Sequence, residues 1–320
     1  MGRQAVNFGI LLPTRGVLLA QKERPDLRPI FDMAETVEKA GYHSIWIGDS
    51  VTAKPRLETL STLGALAVKT KNIKIGTSVL IAALRNPVLL AQAIANVDVL
   101  SSGRLILGVG VQRGDKMFEE EFTACGVPFN QKAGRLEELL KIMRLLWSQD
   151  NVTYPNKYFR IENLSLLPKP VQKPGVPVWV SSNDVDRGLK RVAMLGDAWM
   201  TNIPSIEVFK ESWKKIQSYA GEAGRDPQEI HRSLYLTIHV SPDGAKARKE
   251  GEEFLTAYYH KPFDVISRQL IVKCGGTDEV VELIKTYADA GLGTFILRFA
   301  AKDQMKQLQV CTENIVPHFQ

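Results

Sequence analysis

The sequence predicts a parallel α/β fold closed into a (β/α)8 barrel, and three observations predict it. Short apolar runs alternate with helical stretches along the whole chain, the order that parallel strands with helical crossovers require. The runs number eight, the count that closes such a barrel. The helix-exit pattern Ala40-Gly41-Tyr42-His43-Ser44-Ile45 returns near the end as Ala290-Gly291-Leu292-Gly293-Thr294-Phe295, and repeated units point to radial repetition. A barrel of this length is read as one domain spanning 1–320.

Residues 6–12 form the first strand, and Pro13-Thr14-Arg15-Gly16 starts a polar loop. A helix over 29–40 places Ile30, Ala34, Val37 and Ala40 near one face, and Gly41 stops it where a left-handed residue is favoured. The second strand, 44–48, ends at Asp49-Ser50, and a helix follows over 57–69. Residues 73–80 are rich in β-branched side chains and too short for a helix. Asn86-Pro87 then caps and starts a helix over 88–100, because proline at the first helical position loses no hydrogen bond. Ser101-Ser102-Gly103 closes it, and the fourth strand, 105–111, carries Gly108 and Gly110.

The helix over 135–147 has Leu136, Leu139, Leu140, Met143 and Trp147 on one stripe. The long irregular segment 148–176 follows, broken by Asn151, Pro155, Asn156, Pro168, Pro170 and Pro174. It is read as an inserted excursion after the fourth helix, with a small hairpin in its middle, lying over one barrel end and helping to cover the site. Strands at 177–182, 197–201, 233–241 and 294–299 complete the eight, with helices at 184–195, 205–220, 245–259, 277–290 and 302–315.

Composition narrows the function. A hydrophobic content of 44% with 24% charged residues is that of a soluble globular chain, and no apolar run approaches the ~20 residues that span a bilayer. The first residues do not read as a signal peptide. Cys125, Cys274 and Cys311 are far apart and in no metal-binding spacing, which fits a reducing cytoplasm, and His43, His231, His239 and His260 share no ligand spacing, so no metal site is expected. The net charge of +6 is scattered, without a basic arm for nucleic acid. A small-molecule substrate is the expected partner, with neither nucleic acid nor membrane.

Candidate site residues lie where strands end, since the C-terminal ends carry the chemistry of such barrels. Gly108-Val109-Gly110 is not a dinucleotide fingerprint, because position 113 is Arg and the motif belongs to the fourth unit. Its glycines either let backbone touch a ligand or serve packing. Ser181, Ser182 and Asn183 precede a helix start, where small polar side chains and free N–H groups suit a phosphate, or simply a cap. Asp49 ends the second strand, either at the site or capping the next loop. Arg113 and Arg298, near the ends of strands four and eight, have the fork geometry to clamp an anionic group, or to make a surface ion pair. Trp199 is the tryptophan best placed to wall a substrate pocket; Trp46 and Trp179 read as core. No catalytic residue is singled out.

Several stretches also carry a resemblance: IGTSVL, RNPVLLAQAIANVDVLSSGRL and LGVGV, then LLPKPVQKPGVPVWV, LGDAWM and GTDEVVELIKTYADAGLGTFILRF. Together they resemble the luciferase-like flavin oxidoreductases of the bacterial luciferase superfamily. That resemblance implies a TIM barrel, a flavin-type cofactor (reduced FMN or the deazaflavin F420), and often a homodimer. It places the cofactor ring against Thr77, Ser78 and Val79, with a cis peptide bond at Ser78–Val79, and the cofactor phosphate at Ser181 to Asn183. Where deazaflavin-dependent alcohol and sugar dehydrogenases carry a histidine base after the Asp, this chain has Ser50; where they carry Glu after the fourth strand, it has Gln112-Arg113. The expected activity is therefore monooxygenation of a small organic substrate with reduced FMN and O2. F420-dependent hydride transfer is the alternative on the same fold, and a non-catalytic flavin-binding barrel the alternative of another class.

Overall fold

The computed structural model describes residues 6–21, 23–155 and 157–320. Among them the strands are β1 (Asn7–Leu11), β2 (Ser44–Ile47), β3 (Lys74–Thr77), β4 (Leu105–Val109), β5 (Val152–Tyr154), β6 (Ile161–Leu164), β7 (Val178–Ser181), β8 (Ala198–Thr201), β9 (His231–Val240), β10 (Val272–Gly275) and β11 (Thr294–Phe299). The helices are α1 (Thr14–Ala20), α2 (Arg28–Lys39), α3 (Thr59–Lys69), α4 (Pro87–Leu100), α5 (Lys116–Ala124), α6 (Lys132–Ser148), α7 (Asp186–Leu195), α8 (Ile206–Glu222), α9 (Gly244–Tyr259), α10 (Phe263–Ser267), α11 (Thr277–Asp289) and α12 (Gln304–Asn314).

Eight parallel strands close in the order β1-β2-β3-β4-β7-β8-β9-β11, and β11 pairs back onto β1. The expected barrel is therefore present, with its excursion inserted after α6. Local chemistry explains the elements. The Asn86 side chain accepts hydrogen bonds from the N–H groups of Val88 and Leu89, starting α4 as expected, and Glu58 does the same for α3. Gly41 and Gly291, the two recurring exit glycines, hold φ of 77° and 86°. The barrel interior is filled by Leu11, Trp46, Ile106, Trp179, Met200 and Ile296. Trp46 occupies space that neighbours must leave free: a Cβ on Gly9 would lie 2.4 Å from its Nε1, and one on Gly76 2.5 Å from its ring. The larger cluster lies outside, between sheet and helices.

Four features depart from the sequence reading. Residues after Pro13 form α1 rather than a loop, and α5 is an additional helix between β4 and α6. A ninth strand, β10, pairs with the upper half of β9 (Val272 opposite Thr237), beyond the point where β8 stops. The fourth concerns the excursion. Its hairpin exists, as β5 and β6 pair antiparallel, while Asn156 lies outside the described residues. Its position is not over the site. The hairpin lies along α6, with Tyr158 N–H on Glu138 and Arg135 over Phe159, and residues 169–176 pack at the N-terminal strand ends, where the Gln172 amide donates to Leu105 O. The reason is topological: a segment between a helix and the next strand starts and ends at the N-terminal face, opposite the chemistry. A cavity of 480 Å³ lined by Leu145, Trp147, Tyr154 and Asp197 lies at this same far end. No described helix is long and apolar enough to cross a membrane.

Candidate active site

At the C-terminal end of β3 the peptide bond Ser78–Val79 is cis, as the resemblance implied. The chain bulges there and rejoins its neighbour: Leu80 N–H donates to Gly108 O (2.8 Å) and Gly110 N–H to Leu80 O (3.3 Å). Thr77 is fully buried, and its hydroxyl donates to Gly108 O at 2.7 Å, so it fastens β3 to β4. Gly108 is a packing glycine, since a Cβ there would lie 1.9 Å from Thr77 O. Val109 is buried toward the helices. The groups that converge toward the interior are Ser78, Val79, Gly110 and Ser181; a Cβ on Gly110 would lie 3.0 Å from Val79 Cγ2 and 3.3 Å from Ser181 Cβ.

Ser181 and Ser182 lead into α7, whose cap position, Val185, supplies no side-chain hydrogen bond. Ser182 reaches over the first turn of this helix: a Cβ on Gly188 would lie 2.1 Å from Ser182 Oγ. An uncapped helix start with a hydroxyl above it fits a phosphate oxygen. Asn183 faces elsewhere, its Oδ1 accepting from Thr201 Oγ1 (3.1 Å) and the N–H of Asn202 (3.3 Å), which ties the turn to β8.

Asp49 does not open onto the mouth. Its carboxylate accepts from Arg85 Nη1 (2.6 Å) and Nη2 (3.0 Å), Thr59 Oγ1 (2.9 Å) and the N–H of Ile81 (2.9 Å), joining the end of β2 to the loop after β3. Burial alone would push the Arg85 guanidinium down, and the Asp49 partnership outweighs it and raises it. Ser50 is equally committed. Its hydroxyl donates to Glu121 Oε1 (2.7 Å), and the same oxygen accepts the N–H groups of Thr52 (2.8 Å) and Ala53 (3.2 Å) and that of Val51. Glu121 comes from α5 and is fully buried.

Basic residues gather at the wall formed by β11, β1 and β2. Arg298 lies two residues beyond interior Ile296, is 5% exposed, and donates from Nη1 to the Tyr259 hydroxyl (3.0 Å). Its guanidinium stacks 4.4 Å from the Tyr258 ring, and Arg15 stacks on Tyr258 at the same distance. Lys54 lies over the rings of Phe118 and Tyr259, and Arg56 lies against Gly48. Burial, then Arg56 and Arg15, push Lys54 down to about 8. Burial pushes the Tyr258 hydroxyl up, yet Arg56, Arg298 and Arg15 together hold it below its ordinary value. A cavity of 1250 Å³ reaches this wall, touching Leu11, Arg56, Tyr258 and Arg298. Across the mouth, exposed Arg113 donates to Gln269 O (3.1 Å), linking the β4 loop to the segment before β10.

Residues 6–270 match the family model of the luciferase-like monooxygenases. The chain belongs to this family. The F420-dependent glucose-6-phosphate dehydrogenase of Amycolatopsis mediterranei is 28% identical over 327 residues, covering 93% of this chain and 96% of that protein. The coenzyme F420 dependent tetrahydromethanopterin reductase of Methanopyrus kandleri has the same fold (TM-score 0.79, 21% identity, covering 99% of this chain and 100% of that one). So does the monooxygenase RslO1 of Streptomyces bottropensis (TM-score 0.81, 23% identity, covering 98% and 100%). The expected class, an oxidoreductase working with FMN or F420, is borne out.

In this luciferase-like barrel the site residues expected from sequence divide into those that meet and those that do not. Val79, Gly110 and Ser181 come together, Ser78 points to Met200 in the barrel interior, and Ser182 lies beside the start of α7, while Thr77, Gly108 and Val109 hold the β3–β4 edge behind them. Trp199 requires correction. It is fully buried and stacks on Phe209 at 5.0 Å and 10°, so it faces the helical layer rather than the barrel interior. Its indole N–H donates to Ser182 O (2.8 Å) and steadies the turn instead. Arg113 is exposed and bonded to Gln269 O, whereas Arg298 is buried against Tyr258 and Tyr259. Arg15, Lys54, Arg56, Glu121 and Tyr258 were missed, because their grouping depends on loops that meet only in three dimensions.

Proposed function

We propose that this luciferase-like barrel binds F420 and catalyses hydride transfer between it and a small organic substrate, in preference to monooxygenation with reduced FMN and O2. One observation carries the choice of cofactor: the kinship with F420-dependent glucose-6-phosphate dehydrogenases runs over 93% of the chain and 96% of the relative. The site fits such a cofactor. Only glycine fits at 110, where Val79 and Ser181 close in, so backbone is presented there, and Ser182 with the uncapped start of α7 would hold a phosphate. When bound, the cofactor supplies the hydride acceptor or donor, while the protein orients and dries the site.

The residues also say what they do not do. Asp49 is locked to Arg85 and Ser50 to Glu121, so neither serves as the base; both fix loops. Lys54, near 8, is the group at this wall able to hold or release a proton close to neutral pH. The test is anaerobic titration with F420 and with FMN, followed by absorbance and thermal shift. F420 is expected to bind and raise the melting temperature. Ser182→Asp, which puts a charge where the phosphate would lie, is expected to weaken it at least tenfold, about 1.4 kcal/mol. Binding of FMN alone, with substrate-dependent O2 uptake, would overturn the choice. Binding without turnover of either cofactor would return the chain to a non-catalytic carrier.

A further inference from the structure

We propose that Arg15, Arg56 and Arg298 form the binding site for an oxyanion of the substrate, a phosphate or a carboxylate. The proposal deepens the oxidoreductase reading, because it assumes that substrate enters the same barrel mouth. Its first support is unmet bonding: Arg15 Nε, Arg56 Nε and Arg298 Nη2 are buried donors without an acceptor. Arg15 and Arg298 are 8% and 5% exposed. Among the described residues these three guanidiniums pair with no carboxylate, and they share their surroundings with a fourth cation, Lys54. Like charges held together under cover repel, and buried donors without partners are costly. The Tyr258 ring, with Arg15 and Arg298 over it at 4.4 Å each, offsets the charge in part, but Arg15 Nε and Arg298 Nη2 still lack an acceptor. An oxyanion meets both needs, since guanidinium forks match its oxygens.

Access and placement agree. The 1250 Å³ cavity contacts Arg56 and Arg298 directly. Around the closed ring, β11, β1 and β2 stand opposite β7, which carries Ser181 and leads to Ser182. A cofactor phosphate at β7 and an anion at the arginine wall would therefore lie on opposite sides of the mouth, which assigns the arginines to the substrate rather than to the cofactor.

Inorganic phosphate and malonate, titrated by calorimetry against the whole chain without cofactor at constant ionic strength, test the assignment. At least one anion is expected to bind, with Kd raised tenfold or more in Arg298→Met and in the loop variant Arg56→Gln, while F420 affinity stays within twofold of the parent. Preference for phosphate would name a phosphate ester as substrate class, and preference for malonate a carboxylate. The proposal falls if neither anion binds, if both folded variants bind like the parent, or if F420 affinity drops in step with anion affinity. Anion binding that persists where F420 does not bind would uphold the site and sink the cofactor reading alone.

Discussion

A methyl group at Gly108 would sit 1.9 Å from Thr77 O, and neither atom belongs to a side chain that can swing away. Gly108→Ala must therefore part β3 from β4 at the bulge, and is expected to destabilise by about 3 kcal/mol, read from urea or thermal unfolding. An unchanged midpoint would show that the strands accommodate the methyl. Glu121 acts differently. One of its oxygens accepts the Ser50 hydroxyl and three successive N–H groups of the loop that leads to Lys54 and Arg56. Glu121→Ala leaves those donors without their acceptor, so stability should fall by about 2–3 kcal/mol and phosphate or malonate affinity should weaken with it. Retained anion affinity in a destabilised variant would limit Glu121 to a structural role. Neither residue announced itself. Glu121 follows two glutamates, Glu119 and Glu120, that are exposed, and only the packing of α5 against the β2 loop separates it from them. Ser181 and Ser182 could be named as candidates because they sit at a strand-to-helix junction, a property of chain order; the grouping of Arg15 with Arg56 could not be seen, because it comes from distant loops.

Among the elements, direction in the barrel decides which insertion meets the site. The 148–176 excursion links α6 to β7 and stays by the N-terminal ends, whereas α9, α10 and β10 follow β9 and are built at the mouth. Tyr258 and Tyr259, at the end of α9, reach Arg298, and Gln269 reaches Arg113. Bound F420 or anion is thus expected to slow proteolysis within 254–271 and to leave cutting in 148–176 unchanged. Protection confined to 148–176 would reverse this assignment. The strand order made that distinction readable from sequence, since an αβ connection and a βα connection open on opposite faces. What sequence could not disclose was β10: its four residues are apolar enough for a strand, but its partner is the part of β9 that outruns β8, a length set by three-dimensional pairing.

For the molecule as a whole, barrels of this kind separate stability at one end from chemistry at the other. The N-terminal end is closed by His43, bonded to Ser44 Oγ (3.0 Å), and His231, bonded to Thr294 Oγ1 (2.8 Å) and packed at a tilt against Trp179. Ser44 Oγ also accepts the Trp46 indole N–H (2.8 Å), so the plug is continuous with the interior packing. Burial above all, with Lys74 adding repulsion at both, lowers each histidine to about 4. A histidine with a folded value below its unfolded 6.5 binds more protons in the unfolded chain between those values. Its stabilisation is complete above pH 6.5 and is lost as pH falls toward 4. Each should cost about 2 kcal/mol by the acid end of that window, allowing for partial exposure. Glu38, held below its ordinary value by N–H groups of residues 71–73 against the effect of burial, titrates in a lower window and leaves this one to the histidines. Melting temperature measured from pH 7.5 to 4.5 is therefore expected to fall for the parent and to fall much less for the double variant His43→Asn, His231→Gln. Cofactor and anion affinity of the folded double variant at pH 7.5 should match the parent, because the plug lies at the opposite end from the arginine wall. An equally steep fall in the double variant would place the acid sensitivity elsewhere, and lost affinity at pH 7.5 would show that the two ends are coupled through the interior tryptophans.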